Sequence, residues 1–594
     1  MKILGIHDGH NSAACLLVDG QVRMAVQEER LRREKNFAGF PSQAIQLILD
    51  ECEVALEEVE RFAIVGREMP DQKTKEGRLA WYREIGQPGY LERQRQAQRK
   101  QQIYDVAVPP GLRRTIKGAL GMETNRQQYG GRLGAMLAFG IPQEQLRIVD
   151  HHRAHAAAAY YGLGEYGRDV LVLTNDGEGD GLCASVNIGR EGRLKRIGAV
   201  PRSESIGNVY SVITFLMGMV PLEHEYKLMG MAPYAEERRA ASVYKKLRSL
   251  FTFDGASPYG WRRVEGCPDL LYSYSFFRDL LELDRFDSIC GGLQRFTEEM
   301  LLEWVKNCIA ATGIHRLALS GGVFMNVKLN KAIMELPEVE DLFVFPSCSD
   351  ETNALGAAYL VAAESEGCAQ VEPLREFYFG KSYSNAEVKA AIDRFDFSAT
   401  AAREYCEDPE RRVAELLAAG EVVARFCGRE EFGARALGNR SLLADPSNPE
   451  VIKVINSMIK CRDFWMPFAT SMTDRQAADC LVNPKGVAAP YMILTFDTTE
   501  RIRDFKAGAH PYDLTVRPQV VYRDWNPTYY RLIEEFERLS GKRGGVLNTS
   551  FNLHGHPLVS SPADALDVFD RSGLKFLAIE NYLVRKEAEA KSST

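Results

Sequence analysis

The chain has 594 residues, too many for one ordinary hydrophobic core, so two or more domains are expected. Its 45% hydrophobic and 26% charged residues are those of a globular protein, and a net charge of −7 argues against a dedicated nucleic-acid binder, which carries a basic excess. No apolar run approaches the roughly 20 residues of a membrane span, and no Cys-x-x-Cys pair occurs among the twelve cysteines, which excludes a zinc knuckle of that type.

The first segment, Met1–Asp8, has charge where a leader peptide needs an apolar core, so a reducing cytoplasmic setting without a membrane partner is expected. Residues 3–6 read as a strand that meets a polar turn, Asp8-Gly9-His10-Asn11. A second strand over 13–18, an Asp19-Gly20 hairpin turn and a third strand over 21–26 follow. The stretch 78–126 is rich in Arg, Gln and Tyr and poor in core periodicity, and reads as an insertion or lid. After a helix capped by Asp150, the same pattern returns. A strand over 170–174 meets Asp176-Gly177-Glu178-Gly179-Asp180-Gly181, then come 183–188, a turn over 189–192 and a strand near 196–200. A unit of strand, polar turn, strand, tight turn and strand used twice is the outline of an actin-like nucleotide fold. Two unrelated β-meanders share that outline. Farther on, a strand over 316–319, the turn Ser320-Gly321-Gly322 and a helix over 323–331 let backbone N–H groups approach a phosphate or ribose. A strand over 344–346 runs to Asp350, and a helix is predicted over 351–363. A polar linker over 364–371 divides a front domain, 1–365, from a rear α/β domain, 366–594.

Of the ten histidines, three fall between positions 151 and 155. His151 and His155 stand at i and i+4, share a helix face, and can bind one ion. Asp176 and Asp350, each near a strand end, are the natural further ligands. Two imidazoles with two carboxylates suit Fe2+, Mn2+ or Zn2+. Alone, His-x-x-x-His also fits a pair of core-satisfied histidines; the repeated fold pattern around it favours the metal.

The rear half gathers cations. Arg429, Arg435 and Arg440 lie among glycines in the run 428–441. Lys460 and Arg462 lie beside Phe464 and Trp465, Arg517 follows Asp513-Leu514-Thr515-Val516, and Asn548-Thr549-Ser550-Phe551-Asn552 is rich in short hydrogen-bonding side chains. Each feature alone fits a structural role. Together they make a cationic pocket of the kind that activating an acid with ATP requires.

With these motifs in view, the sequence resembles the NodU/CmcH-type O-carbamoyltransferases almost end to end. The likeness rests on Glu28-Glu29-Arg30, Asp150-His151-His152-Arg153-Ala154-His155, Lys227-Leu228-Met229-Gly230-Met231-Ala232-Pro233-Tyr234, and the runs 320–326, 431–441, 548–552 and 561–563. The resemblance implies an α/β protein with an N-terminal actin-like (ASKHA) duplicated domain and a C-terminal YrdC-like α/β domain. It implies that carbamoyl phosphate and ATP give carbamoyladenylate in the rear domain, with Mg2+ accompanying ATP. The carbamoyl group then passes to a hydroxyl of a small metabolite at the front, and AMP leaves. Antibiotic-tailoring members of the family point to a sugar, aminoglycoside or polyketide acceptor. By the same likeness His151, His155, Asp176 and Asp350 hold a metal, iron by family, and His10 is the catalytic histidine. Arg435, Lys460, Arg517 and Ser550 bind phosphate and adenylate, with Arg462 beside Lys460; Gly321, Gly322 and Asn326 face the nucleotide at the front. A homodimer stays open.

Three departures from the family pattern stand out: Leu514 where Gly is common, Met466-Pro467-Phe468-Ala469-Thr470 for Arg-Pro-Phe-Ala-Pro, and His556 where Glu is usual. Two other readings remain: carbamoylation of a nucleic-acid-borne hydroxyl or base, and a non-catalytic nucleotide-binding regulator on the same scaffold.

Overall fold

A computed structural model describes residues 1–67, parts of 75–96, and 125–253, 257–365 and 370–587. Most of the stretch read as an insertion or lid, and residues 366–369 of the expected linker, lie outside these. Strands β1 (Lys2–His7), β2 (Ala13–Val18) and β3 (Gln21–Gln27) form an antiparallel meander. Strands β4 (Arg61–Val65) and β5 (Leu146–Val149) add to β1 in parallel, giving the order β3-β2-β1-β4-β5. The β2–β3 turn closes as Asp-Gly pairs do, with Asp19 and Gly20 at φ of 50° and 83°. The second sheet repeats this topology. Strands β6 (Val170–Gly179), β7 (Leu182–Arg190) and β8 (Arg193–Pro201) form the meander. A short ribbon of β9 (Phe251–Thr252) and β10 (Arg262–Arg263) intervenes. Strands β11 (Arg316–Ser320) and β12 (Asp341–Val344) then extend the sheet in parallel from β6. One strand order and sense used twice makes the front a duplicated actin-like fold.

Both faces of the first sheet are covered, so β1 is buried along nearly its whole length. Leu4 and Ile6 face the helix Ser42–Glu51, and Ile3 faces the central core. Two helices run through that core, His151–Leu163 and Asn353–Glu364. Their packing depends on small residues: a Cβ on Gly356 would lie 1.9 Å from Ala154 O of the partner helix, and one on Gly5 of β1 would lie 2.0 Å from Ala354 O. The alanine-rich stretch of the histidine helix thus allows close approach.

Local elements differ from expectation in three places. The second polar turn is shorter than 176–181, because β6 continues to Gly179 across a register shift and the chain reverses at Asp180 and Gly181, both at positive φ. The strand expected over 344–346 ends at Val344; beyond it Ser347 and Cys348 take φ of 62° and 32° and turn the chain toward Asp350. The helix expected from 323 starts at Val327, because Asn326 caps it by accepting Leu329 N–H at 3.1 Å.

The rear of the chain forms an eight-stranded mixed sheet flanked by helices. Its strands are β13 (Ala401–Tyr405), β14 (Val423–Phe426), β15 (Arg440–Ala444), β16 (Ala469–Thr473), β19 (Pro518–Val521), β20 (Val546–Ser550), β21 (Phe576–Ile579) and β22 (Tyr582–Lys586). A small ribbon, β17 (Leu481–Val482) and β18 (Asp497–Thr498), stands apart. The sheet order is β13-β22-β21-β14-β15-β20-β16-β19, and β15 and β20 place the two polar motifs, 431–441 and 548–552, side by side. No described helix is long and apolar enough to cross a membrane.

Candidate active site

The histidine helix starts under tight control. Asp150 accepts Arg153 N–H at 3.0 Å as its cap and also pairs with Arg196. His151 N–H donates to Asp180 Oδ2 at 2.8 Å, which ties the helix start to the turn after β6. A Cβ on Gly179 would lie 2.2 Å from the His151 ring, so only glycine leaves that ring its place. His151 Nε2 lies 3.0 Å from Asp176 Oδ2 and 3.5 Å from Asp350 Oδ1; His155 Nε2 lies 3.5 and 3.4 Å from the same two atoms. One ligand atom from each of the four residues lies within 4.8 Å of every other. His155 Nδ1 stands 3.2 Å from Ser320 Oγ, which turns Nε2 toward the carboxylates.

Burial disfavours a charged His151, but Asp350 and Asp176 outweigh it and raise the imidazole to about 9. Both carboxylates stay below the usual range despite burial, which alone would raise them; for Asp350 the neighbouring Asp176 also works against the shift. Asp350 Oδ1 is buried without a hydrogen-bond partner. Two imidazoles and two ionised carboxylates, one with an oxygen free of hydrogen bonds, fit a divalent cation, which would take the place of the proton on His151.

The first polar turn faces this cluster. Asp8 is 1% exposed and takes a two-pronged ion pair from Arg132, Oδ1 and Oδ2 each accepting at 2.7 Å, while Arg132 also donates to Gly66 O at 2.8 Å. His7 Nε2 lies 3.0 Å from His10 O, and His10 bridges to Ala38. Burial, followed by the nearby Arg78, pushes His10 down to about 4, below the ordinary value of 6.5.

The rear motifs converge on a cationic pocket. Lys460 ends a π-turn, Asn456–Lys460, and Cys461 after it takes a left-handed φ of 48°, which brings the lysine inward to 3% exposure. Its Nζ donates to Ser550 Oγ at 3.1 Å, Asn552 O at 3.2 Å and Asn552 Oδ1 at 2.6 Å. Arg462 donates to Thr549 Oγ1 at 3.0 Å and lies over the Phe468 ring, 4.8 Å from its centroid. The Nε atoms of Arg435 and Arg517 are buried without partners. Burial, then Arg462 and Lys35, hold Lys460 well below its usual value; burial, then Arg435 and Arg462, do the same to Arg517. No carboxylate lies at ion-pair distance from any of these four cations among the described residues. They are arranged for an anion from outside.

One cavity of about 810 Å³ reaches both groups. It is lined at the front by His10, His151, Asp176, Gly322, Asn326 and Asp350, and at the rear by Arg435, Lys460, Arg462, Arg517 and Ser550. His155 stands behind His151, and Gly321 is not on the wall. Gly321 serves the turn itself: at φ 107° it packs where a Cβ would lie 2.3 Å from Asn175 O. Gly322 N–H donates to Asp176 Oδ1 at 3.1 Å, so this glycine orients the Asp176 carboxylate. No local motif announces the Asp8–Arg132 pair, although Asp8 lies in the first polar turn, and Asn552, the last residue of the 548–552 motif, is the main partner of Lys460.

The cavity joins a duplicated actin-like fold to a cationic α/β pocket, and the family comparison identifies the chain as a transferase. The chain belongs to the carbamoyltransferase family: the family's N-terminus matches residues 2–359 and its C-terminus matches 414–586. It is 30% identical to nodulation protein NolNO of Sinorhizobium fredii, over 97% of this chain and 79% of that one. It is 31% identical to nodulation protein NolO of Bradyrhizobium diazoefficiens, over 74% and 79%. An uncharacterized Synechocystis protein is 29% identical over 98% and 96%. Among solved structures, full-length HypF in its phosphate- and nucleotide-bound form aligns at 15% identity and a TM-score of 0.30, over 62% of this chain and 47% of that one.

Proposed function

We propose that the protein is an ATP-dependent O-carbamoyltransferase that forms carbamoyladenylate in the rear pocket and delivers its carbamoyl group to a hydroxyl of a small metabolite at the front cluster. The observation that carries this reading is the shared cavity, into which both the unpaired cations and the His10 turn open. On this reading residues 1–365 transfer and residues 366–594 activate, in the cytoplasm. In balance, carbamoyl phosphate, ATP and one water give carbamoyladenylate, phosphate and pyrophosphate; the acceptor hydroxyl then displaces AMP. Arg435, Lys460, Arg462 and Arg517 bind the phosphoryl oxygens, and Ser550 with Asn552 holds Lys460 in place. Their gain is electrostatic: fixed cations meet charge where water is excluded. A route within one cavity shortens the exposure of a labile carbamate to water.

At the front, His10 is neutral at pH 7 and accepts the acceptor's proton. General-base help is worth roughly 10²–10⁴-fold, and an imidazole held near 4 belongs at the low end of that range. AMP is a good leaving group, so binding and orientation carry most of the step. A divalent ion held by His151, His155, Asp176 and Asp350, iron by family resemblance, would supply neutralisation of charge on the AMP phosphate. The test is AMP formation from ATP with and without carbamoyl phosphate, with candidate acceptors read by mass spectrometry. Strict dependence on carbamoyl phosphate and a carbamoyl mass increment on an acceptor are expected; AMP formation indifferent to carbamoyl phosphate would rule the function out.

A further inference from the structure

A short stretch after β3 touches both halves of the cavity. Glu28 N–H donates to Ser12 O and Ser12 N–H to Phe37 O, each at 3.0 Å, and Ala38 bridges His10. Residues 28–38 therefore frame the His10 turn. The same stretch sends two arginines across to loops beside the rear sheet. Arg30, 4% exposed, donates from Nη1 to Glu430 Oε1 at 2.5 Å, and from Nη2 to Gly433 O at 2.7 Å and Gln27 Oε1 at 3.0 Å. Gln27 Oε1 in turn accepts Gly433 N–H at 3.1 Å. Gly433 stands two residues before Arg435. The other oxygen of Glu430 accepts Ser560 Oγ–H at 2.8 Å.

Arg33, at a left-handed φ of 58°, donates to Leu558 O at 2.6 Å and Pro557 O at 3.3 Å. These carbonyls lie just past Asn552, the partner of Lys460. One arginine thus holds the lip that carries Arg435, and the other holds the lip that follows Ser550. From the opposite side Ala434 N–H donates to Ser347 Oγ at 2.9 Å, another contact from front to rear. Among the described residues, Arg30 is the sole ion-pair partner of Glu430.

We propose that Arg30 and Arg33 are positioning residues for the rear anion pocket, so that carbamoyladenylate formation requires the rear domain docked on the front one. The inference rests on the function proposed above. An arginine that only staples two domains would affect stability, and its loss would combine independently with damage at Arg435. A positioning arginine acts through Arg435. The experiment measures carbamoyl-phosphate-dependent pyrophosphate release by the full chain with Arg30→Lys, Arg435→Lys and both together, alongside thermal midpoints. Misplacing a binding group by about 1 Å costs up to roughly 100-fold. Arg30→Lys alone is therefore expected to lower kcat/KM by about 10- to 100-fold and to add little in the Arg435→Lys background. A wild-type kcat/KM for Arg30→Lys, or an undiminished penalty in that background, would overturn the proposal. Should Arg30→Lys not fold, Arg33→Ala decides: Arg33 is partly exposed and also pairs with Asp564 at 3.5 Å. A fall of about 10-fold is expected while the thermal midpoint drops by only a few degrees and the protein stays folded at the assay temperature. Wild-type kinetics there would overturn the proposal equally. Absence of carbamoyl-phosphate-dependent pyrophosphate release by the wild type itself would sink the function, a result distinct from failure of the positioning role.

Discussion

Arg517→Met separates what the rear pocket costs the free protein from what it gives the loaded one. Arg517 Nε is buried without a partner, and burial together with Arg435 and Arg462 disfavours its charge. A buried donor left unpaired costs about 1–3 kcal/mol. Methionine of similar length removes that penalty and keeps the packing. For a unit the size of the rear domain, about 1 kcal/mol moves the thermal midpoint by roughly 2–4 °C. The ligand-free variant should therefore melt several degrees higher than wild type. An anionic ligand reverses the ranking. Pyrophosphate at about 100 times its Kd stabilises a binding-competent protein by about 2.7 kcal/mol, and the variant should forfeit most of that gain. Differential scanning calorimetry with and without pyrophosphate reads both effects. A ligand-free variant less stable than wild type, or equal stabilisation of the two by pyrophosphate, would refute the reasoning.

Four further outcomes follow from particular residues. Lys460 lies well below its ordinary value of 10.5 in the free pocket, first through burial and then through Arg462 and Lys35. An anion restores its charge, so between the depressed and the ordinary value binding takes up a proton and weakens as pH rises. Calorimetry of pyrophosphate binding in two buffers of different ionisation enthalpy should show that uptake in wild type and none in Lys460→Met; zero uptake in wild type would contradict it. Leu514 takes a φ of 57° and is 39% exposed, so Leu514→Gly relieves left-handed strain of about 1–2 kcal/mol against an entropy cost of about 0.5–1 kcal/mol. Urea denaturation should find it neutral to slightly stabilising, and Gly438→Ala, whose Cβ would lie 2.3 Å from the Tyr529 ring, strongly destabilising. Elemental analysis of wild type against the His151→Ala/His155→Ala double variant should show loss of a bound divalent metal. Equal metal content would remove these ligands from the scheme.

Local pattern made part of this legible in the sequence. The β1–β3 meander shows through alternation and an Asp-Gly turn, and its second copy shows through the same spacing. His151 and His155 pair because helical geometry puts i and i+4 on one face; Asp176, within β6, and Asp350, in the turn beyond β12, join them because neighbouring strands of one sheet lead to the same edge. Contacts set by tertiary structure left no such trace. Arg132 lies 124 residues from Asp8, outside any local motif, and Arg30 lies 400 residues from Glu430. Position 514 carries Leu where the family pattern has Gly, and only the positive φ explains why glycine suits that place. Gly321 packs a crowded turn, and Asn326, which lines the cavity, also caps the helix that follows; neither role shows in the local pattern.

The two-site mechanism meets its most direct test in one comparison: carbamoyl-phosphate-dependent pyrophosphate release from ATP by wild type, Lys460→Ala and His10→Asn. Two-site chemistry predicts that Lys460→Ala abolishes release and that His10→Asn keeps it while losing transfer to the acceptor. Suppression of release by His10→Asn as severe as that by Lys460→Ala, in a folded protein, would contradict it.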